Sequence, residues 1–286
     1  MLSVDEFESQ FRSADKVPFR LAVPEVQKIV IVTDLGDGAS ISQDTYLSAA
    51  KNYARALGEV VWVELADTDY DDVDGLLKRV EEEEPDLICA YRNLKDGSWR
   101  WPYSLGVFLN VLTRETRYPV LILPNPHEVP DLGWKDRETS DVMVVTDHLA
   151  GDDALVNWGV RMTAPNGTLW LTHVEDDVVF ARYIDTISRV PSIDTENARE
   201  EILKQLLKEP RDYIRSVRSV LEESDLAIRV EKVVRTGHRV RDYRGLLEEN
   251  AIDLLAFHTN SEDQVALHGA VYLLAIELRD KPILMI

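Results

Sequence analysis

The chain has one cysteine, few cations, and no long apolar run, and each scarcity closes off a class of protein. The lone thiol, Cys89, sits within LeuIleCysAla and can form no internal disulfide, so it reads as a small buried hydrophobe rather than a reactive group. No apolar stretch reaches the roughly 18 residues of a membrane-spanning helix. Residues up to Arg20 carry Asp5, Glu6, Glu8 and Asp15 around no apolar core, which argues against a secretory signal and for a cytoplasmic home. Lys and Arg total 32 against 52 Asp and Glu, a formal net charge of −20. Without a basic face the chain is poorly suited to nucleic acid or an anionic membrane. The acids gather at Asp67 to Asp74 and Glu81 to Glu84, where solvated loops and helix ends are the expectation. Catalytic signatures are missing as well. There is no P-loop, no GxSxG elbow and no HExxH, so a non-enzymatic protein is expected.

What is present is a repetition. LGVFLNVLTRETRYPVLIL, Leu105 to Leu123, returns as HGAVYLLAIELRDKPILMI, His268 to Ile286, with the interval from Gly106 to Pro119 equal to that from Gly269 to Pro282. Upstream, ProAspLeuIleCysAlaTyrArgAsn at 85–93 is echoed by IleAspLeuLeuAlaPheHisThrAsn at 252–260, and IleValIleValThrAsp ending at Asp34 by ValMetValValThrAsp ending at Asp147. A duplicated α/β unit follows, the second longer by an insertion between its strands. The predicted organisation is an N-terminal helical arm over 1–27, a shortened first unit over 28–124, a Pro-rich linker over 125–140, and a fuller second unit over 141–286 with a helical insertion from about 176 to 222.

Within the units, strands are expected at Lys28–Thr33, Val60–Leu65, Leu87–Tyr91, Val142–Thr146, Thr168–Thr172 and Leu226–Val234. Helices are expected at Ser3–Lys16, where Ser3 and Glu6 form a capping box, and at Gln43–Leu57, Val73–Glu83, Asp153–Met162 and Val240–Asn250. The insertion, Val178 to Val220, has a helical pattern broken at Pro191 and Pro210, and its start beside His173 would let it cover a pocket. Strands alternating with helices require parallel pairing through right-handed crossovers. The fold class is therefore α/β: two doubly wound, Rossmann-like parallel-sheet domains arranged as an internal pseudo-dimer. The tails Pro119–Leu123 and Pro282–Ile286 are expected to pair, because each leaves an open edge that the other can hide.

The order of these segments resembles the universal stress protein family in tandem form. ValThrAsp ends the first strand, LeuThrHisVal at 171–174 the second, and ThrGlyHis at 236–238 precedes a helix; LysProIleLeuMetIle closes the chain. Members that bind ATP carry two close glycines, then a third followed by Ser or Thr, which cradle phosphates at a helix N-terminus. Here those positions fall on His258, Ser261 and Gly269 followed by Ala270 in the second unit, and on Tyr91, Leu94 and Gly106 followed by Val107 in the first. The motif is degraded, so the resemblance implies no resident cofactor and at most weak binding of ATP or another adenine nucleotide. The acid that faces the base in the family is matched by Asp34 and Asp147.

Ligands of doubly wound folds sit at the carboxyl ends of the strands. That edge collects the candidate binding residues Asp34, Asp147, His148, His173, Gly237, His258, Ser261 and Gly269, and no catalytic residue is assigned. Three readings follow: a non-enzymatic stress-response or regulatory protein, an adenine-nucleotide binder using the second unit, and a metal-binding or hydrolytic protein using the histidine-rich rim. The unusual loop holding Trp99 and Trp101 is a candidate protein-docking site, and the chain is expected as a monomeric pseudo-dimer or a higher homo-oligomer.

Overall fold

Strands buried on both faces read as unbroken apolar runs, and those runs become the middle of a single sheet. In this computed structural model residues 18–36, 39, 41–95, 104–146, 149–258 and 274–286 are described. The helix expected at Ser3–Lys16, the Trp99/Trp101 loop, and candidate residues Asp147, His148, Ser261 and Gly269 lie outside them. The first half of the chain forms β1 (Lys28–Val32), α1 (Gln43–Tyr53), β2 (Val61–Leu65), α2 (Val73–Glu83), β3 (Leu87–Tyr91), α3 (Val107–Glu115) and β4 (Val120–Leu123). The second forms β5 (Asp141–Val145), α4 (Asp153–Met162), β6 (Thr168–Asp176), α5 (Asp177–Ser188), α6 (Thr195–Glu222), β7 (Arg229–Gly237), α7 (Arg239–Glu249), β8 (Leu254–Phe257) and β9 (Ile283–Met285), with helical residues 274–277 before the last strand.

The strands make one nine-stranded sheet in the order β2-β1-β3-β4-β9-β8-β5-β6-β7. Read outward from the centre, both halves give the same order, and the second adds β7. The joint is the antiparallel pair β4–β9, with Val120 opposite Met285 and Ile122 opposite Ile283, as the open-edge argument requires; the pairings within each half are parallel. The two expected sheets are thus continuous, and one apolar core runs through both halves.

Side chains brace the joint. Arg92, 2% exposed, donates to the carbonyl of Leu278 at 2.5 Å and that of Ile276 at 3.4 Å, where a helix end leaves oxygens without intrahelical partners. Burial, aided by nearby Arg279 and opposed by Asp280, lowers the guanidinium pKa to about 9. Arg279 in turn donates from Nε to Glu128 at 3.0 Å.

Local chemistry sets the helix starts. Ser42, Asp72, Asp152, Asp176 and Asp194 each accept a backbone N–H of the first turn that follows. Three expectations need correction. The arm, drawn to residue 27, carries no helix over its described part, 18–27, which bonds to the second half, with the Phe19 amide on Ser216 Oγ at 3.0 Å and the Ala22 amide on Asn157 Oδ1 at 2.8 Å. β6 and β7 run on to Asp176 and Gly237 because each supplies the other's partner, His173 to Asp176 pairing with Val234 to Gly237. Pro210 does not break α6, since buried Tyr213, Ile214, Val217 and Leu221 hold the helix beyond it against the sheet. The break at Pro191 stands, between α5 and α6.

The linker is part of the core. Trp134, 3% exposed, packs edge-on against Tyr46 and Tyr53 at 5.7 and 5.8 Å between ring centroids, while Asn52 donates to the Lys135 carbonyl. Trp134→Ala is therefore expected to cost about 3–5 kcal/mol in urea unfolding, a core-sized loss; a change under about 0.5 kcal/mol, typical of a surface site, would show that the segment is not held.

Candidate functional site

At the carboxyl edge of the first half, the chain's own groups fill the place where a ligand would sit. Asp34 follows β1, and its carboxylate accepts the Tyr91 hydroxyl on one oxygen and the Lys95 amide, at 2.6 Å, on the other. The Asp34 amide donates back to the Tyr91 oxygen at 2.9 Å. Burial, then the Asp34 charge, pushes the Tyr91 phenol far up, so it stays a donor. The Lys95 ammonium reaches across the edge to the Asp67 carbonyl at 2.8 Å and its carboxylate at 3.0 Å, and lies 4.2 Å from the Tyr70 ring centre.

Gly106, aligned with a phosphate-cradle glycine of the family, is also engaged internally. At φ +91° its missing Cβ would stand 2.7 Å from Asn93 Cα, and the Asn93 amide donates to the Leu105 carbonyl at 2.8 Å. Asp34 is thus bonded within the chain, and Gly106 lies against the backbone of Asn93.

The second half is built differently. His258 follows β8, and its Nε2 lies 2.8 Å from Oδ1 of Asp152, the residue that caps α4 by accepting the Leu155 amide at 3.2 Å. Burial would lower the imidazole pKa, but the hydrogen bond and charge of Asp152, with a bond to the Ile286 backbone, outweigh it and raise the value. The side chain remains 30% exposed at the edge. His173 is buried, 3.4 Å from the Glu175 carboxylate on the same face of β6, longer than a well-formed hydrogen bond. Strands β8, β5 and β6 are successive neighbours, which sets the His258 and His173 backbones about 10 Å apart.

Gly237 ends β7, and a Cβ there would meet the Asp242 carboxylate at 2.5 Å. That carboxylate pairs with Arg235 at 2.7 Å, so a glycine here is accounted for by packing. His238 is exposed at the start of α7 and makes no side-chain cap. Among the described residues no three His, Cys, Asp or Glu groups come together as metal ligands. Cys89 is buried, and burial pushes its thiol well up, away from reactivity. Among the described residues no helix is long and apolar enough to cross a membrane.

Sequence reasoning found His258 but missed Asp152. The capping signal was there, in GlyAspAsp ahead of α4, yet nothing local ties it to a histidine far along the chain.

No protein-family model matches the chain, and no curated protein matches it. Solved structures similar to it include a universal stress protein from Archaeoglobus fulgidus DSM 4304, 16% identical over 91% of this chain and 85% of that one, with a TM-score of 0.47. Another is a functionally unknown protein from Pseudomonas aeruginosa PAO1, 10% identical over 91% and 92% of the two chains, with a TM-score of 0.48. Neither lends this chain a ligand or a residue's role.

The Asp152–His258 pair has a testable pH signature. Because the folded imidazole pKa is raised, the pair's contribution is fully present below the unfolded value near 6.5 and is lost as pH rises through the folded one. Asp152→Asn keeps a capping oxygen and removes the charge. It should lower the His258 pKa in an NMR titration and destabilise the protein more at pH 5.5 than at pH 8.5; an unmoved titration would mean that the pair does not form.

Proposed function

We propose that the chain is a non-enzymatic regulatory protein of the universal stress type, in which the first half is a closed structural unit and the second presents the binding edge. The observation that carries the reading is the occupied Asp34 carboxylate: bonded by Tyr91 and the Lys95 amide, it has become an internal tie rather than a contact for a base. The order of the sequence motifs supports the family type, and so does a sheet whose halves repeat one strand order about a central joint.

On this reading the second half acts through contacts at its carboxyl edge, around the protonatable His258. That imidazole favours anionic groups of small ligands or partner side chains, and the favour grows as pH falls. Tight ATP binding is not expected. The net charge of −20 opposes a polyphosphate, and side chains at His258 and Ser261 replace the glycines that would admit one.

Calorimetric titration of the intact protein with ATP and Mg²⁺ tests this: affinity should be weaker than about 100 µM, roughly −5.5 kcal/mol. Micromolar or tighter binding would overturn the proposal in favour of an adenine-nucleotide binder using the second half.

A further inference from the structure

Helix α6 is longer than the sheet it packs on. Its 28 residues span about 42 Å, whereas β6 and β7, nine residues each, span about 30 Å. One end must overhang, and burial shows which. Tyr213, Ile214, Val217 and Leu221 are buried, while Leu203, Leu206 and Leu207, on the same stripe nearer the N-terminus, are only partly buried. Beside them α5 buries Phe180 and Ile184 but leaves Tyr183 58% exposed, and the turn between the helices leaves Val190 and Ile193 43% and 42% exposed. The tip of the α5–α6 hairpin thus carries an apolar face that the described residues cover only in part.

The charges on α6 say what covers it. Along the flank next to Leu203 and Leu207 they are sorted by sign: Glu196 and Glu200 come first, then Lys204, Lys208 and Arg211, and all are exposed. A helix with acids toward one end and bases toward the other opposes like charges when aligned parallel with itself and opposite charges when aligned antiparallel. We propose that this face docks a second copy of the chain, α6 against α6, antiparallel about a two-fold axis. The arrangement sets Glu200 of each copy beside Lys208 of the other, with Leu203, Leu206 and Leu207 from both filling the centre. Such an interface is isologous and closes on itself, so assembly stops at the dimer. The proposal is independent of any ligand at the carboxyl edge.

Light scattering after size-exclusion chromatography over a concentration series reads the outcome directly. Wild-type protein should approach twice the 32.6 kDa of one chain. Leu206→Glu, at a partly buried position and with folding checked by circular dichroism, should give monomer. Glu200→Lys should raise the dimer dissociation constant about tenfold or more, because two like-charged pairs replace two opposite ones. Glu200→Lys combined with Lys208→Glu should restore it. Residues 200 and 208 lie about two turns apart on one helix and do not touch within a chain, so rescue reports contact between copies. A wild-type mass of one chain at every concentration overturns the proposal; so does a dimer that Leu206→Glu leaves intact or that the double reversal fails to restore.

Discussion

The structure depends on what becomes of a strand with nothing beside it. A short parallel unit ends in a row of unpaired amides and carbonyls, which costs free energy if buried and invites foreign strands if exposed. In each half the last strand, β4 or β9, has such a side, and each is the other's solution. Once they pair, the rest follows: the sheet becomes continuous, β4 and β9 are buried at its centre, and Arg92 can be buried beside them because helix-end carbonyls receive it. The remaining edges, β2 and β7, fall at opposite ends of the molecule. Arg218 donates to the Val230 carbonyl at 2.7 Å, giving one backbone oxygen of β7 a partner.

The two halves share a frame but use it differently. In the first, the carboxyl edge has been converted into structure by short-range bonds from Asp34, Tyr91 and Lys95. In the second, insertion of α5, α6 and β7 widens the sheet, and the edge carries a histidine whose charge is set by an acid on a neighbouring helix cap. Two halves of one strand order permit this division, because one half can keep the joint sound while the other changes its surface.

Much of the fold was legible in the sequence, and the reason is that its elements are locally specified. α2, β3 and α4 begin and end where capping acids and apolar periodicity place them. What was not legible came from distant contacts. The extra length of β6 exists only because β7 lies alongside, and the survival of α6 past Pro210 only because a sheet supports its later turns. The same holds at the site. His258 could be named from its position at a strand end, whereas its partnership with Asp152, and the Asp242 carboxylate that lies against Gly237, have no local signature.

The stretch just before β1 bears on how the molecule assembles in time. Phe19 and Ala22 are among the first described residues of the chain, yet their amides bond to Ser216 and Asn157, in elements made much later. During synthesis the Ala22 partner is made with α4 and the Phe19 partner only with α6, although the first half's own strands can already meet. Contacts this distant in sequence slow folding, and they hold back the last closure of the strap until α6 has been made. The strap therefore ties the start of the first half to the second half's helices.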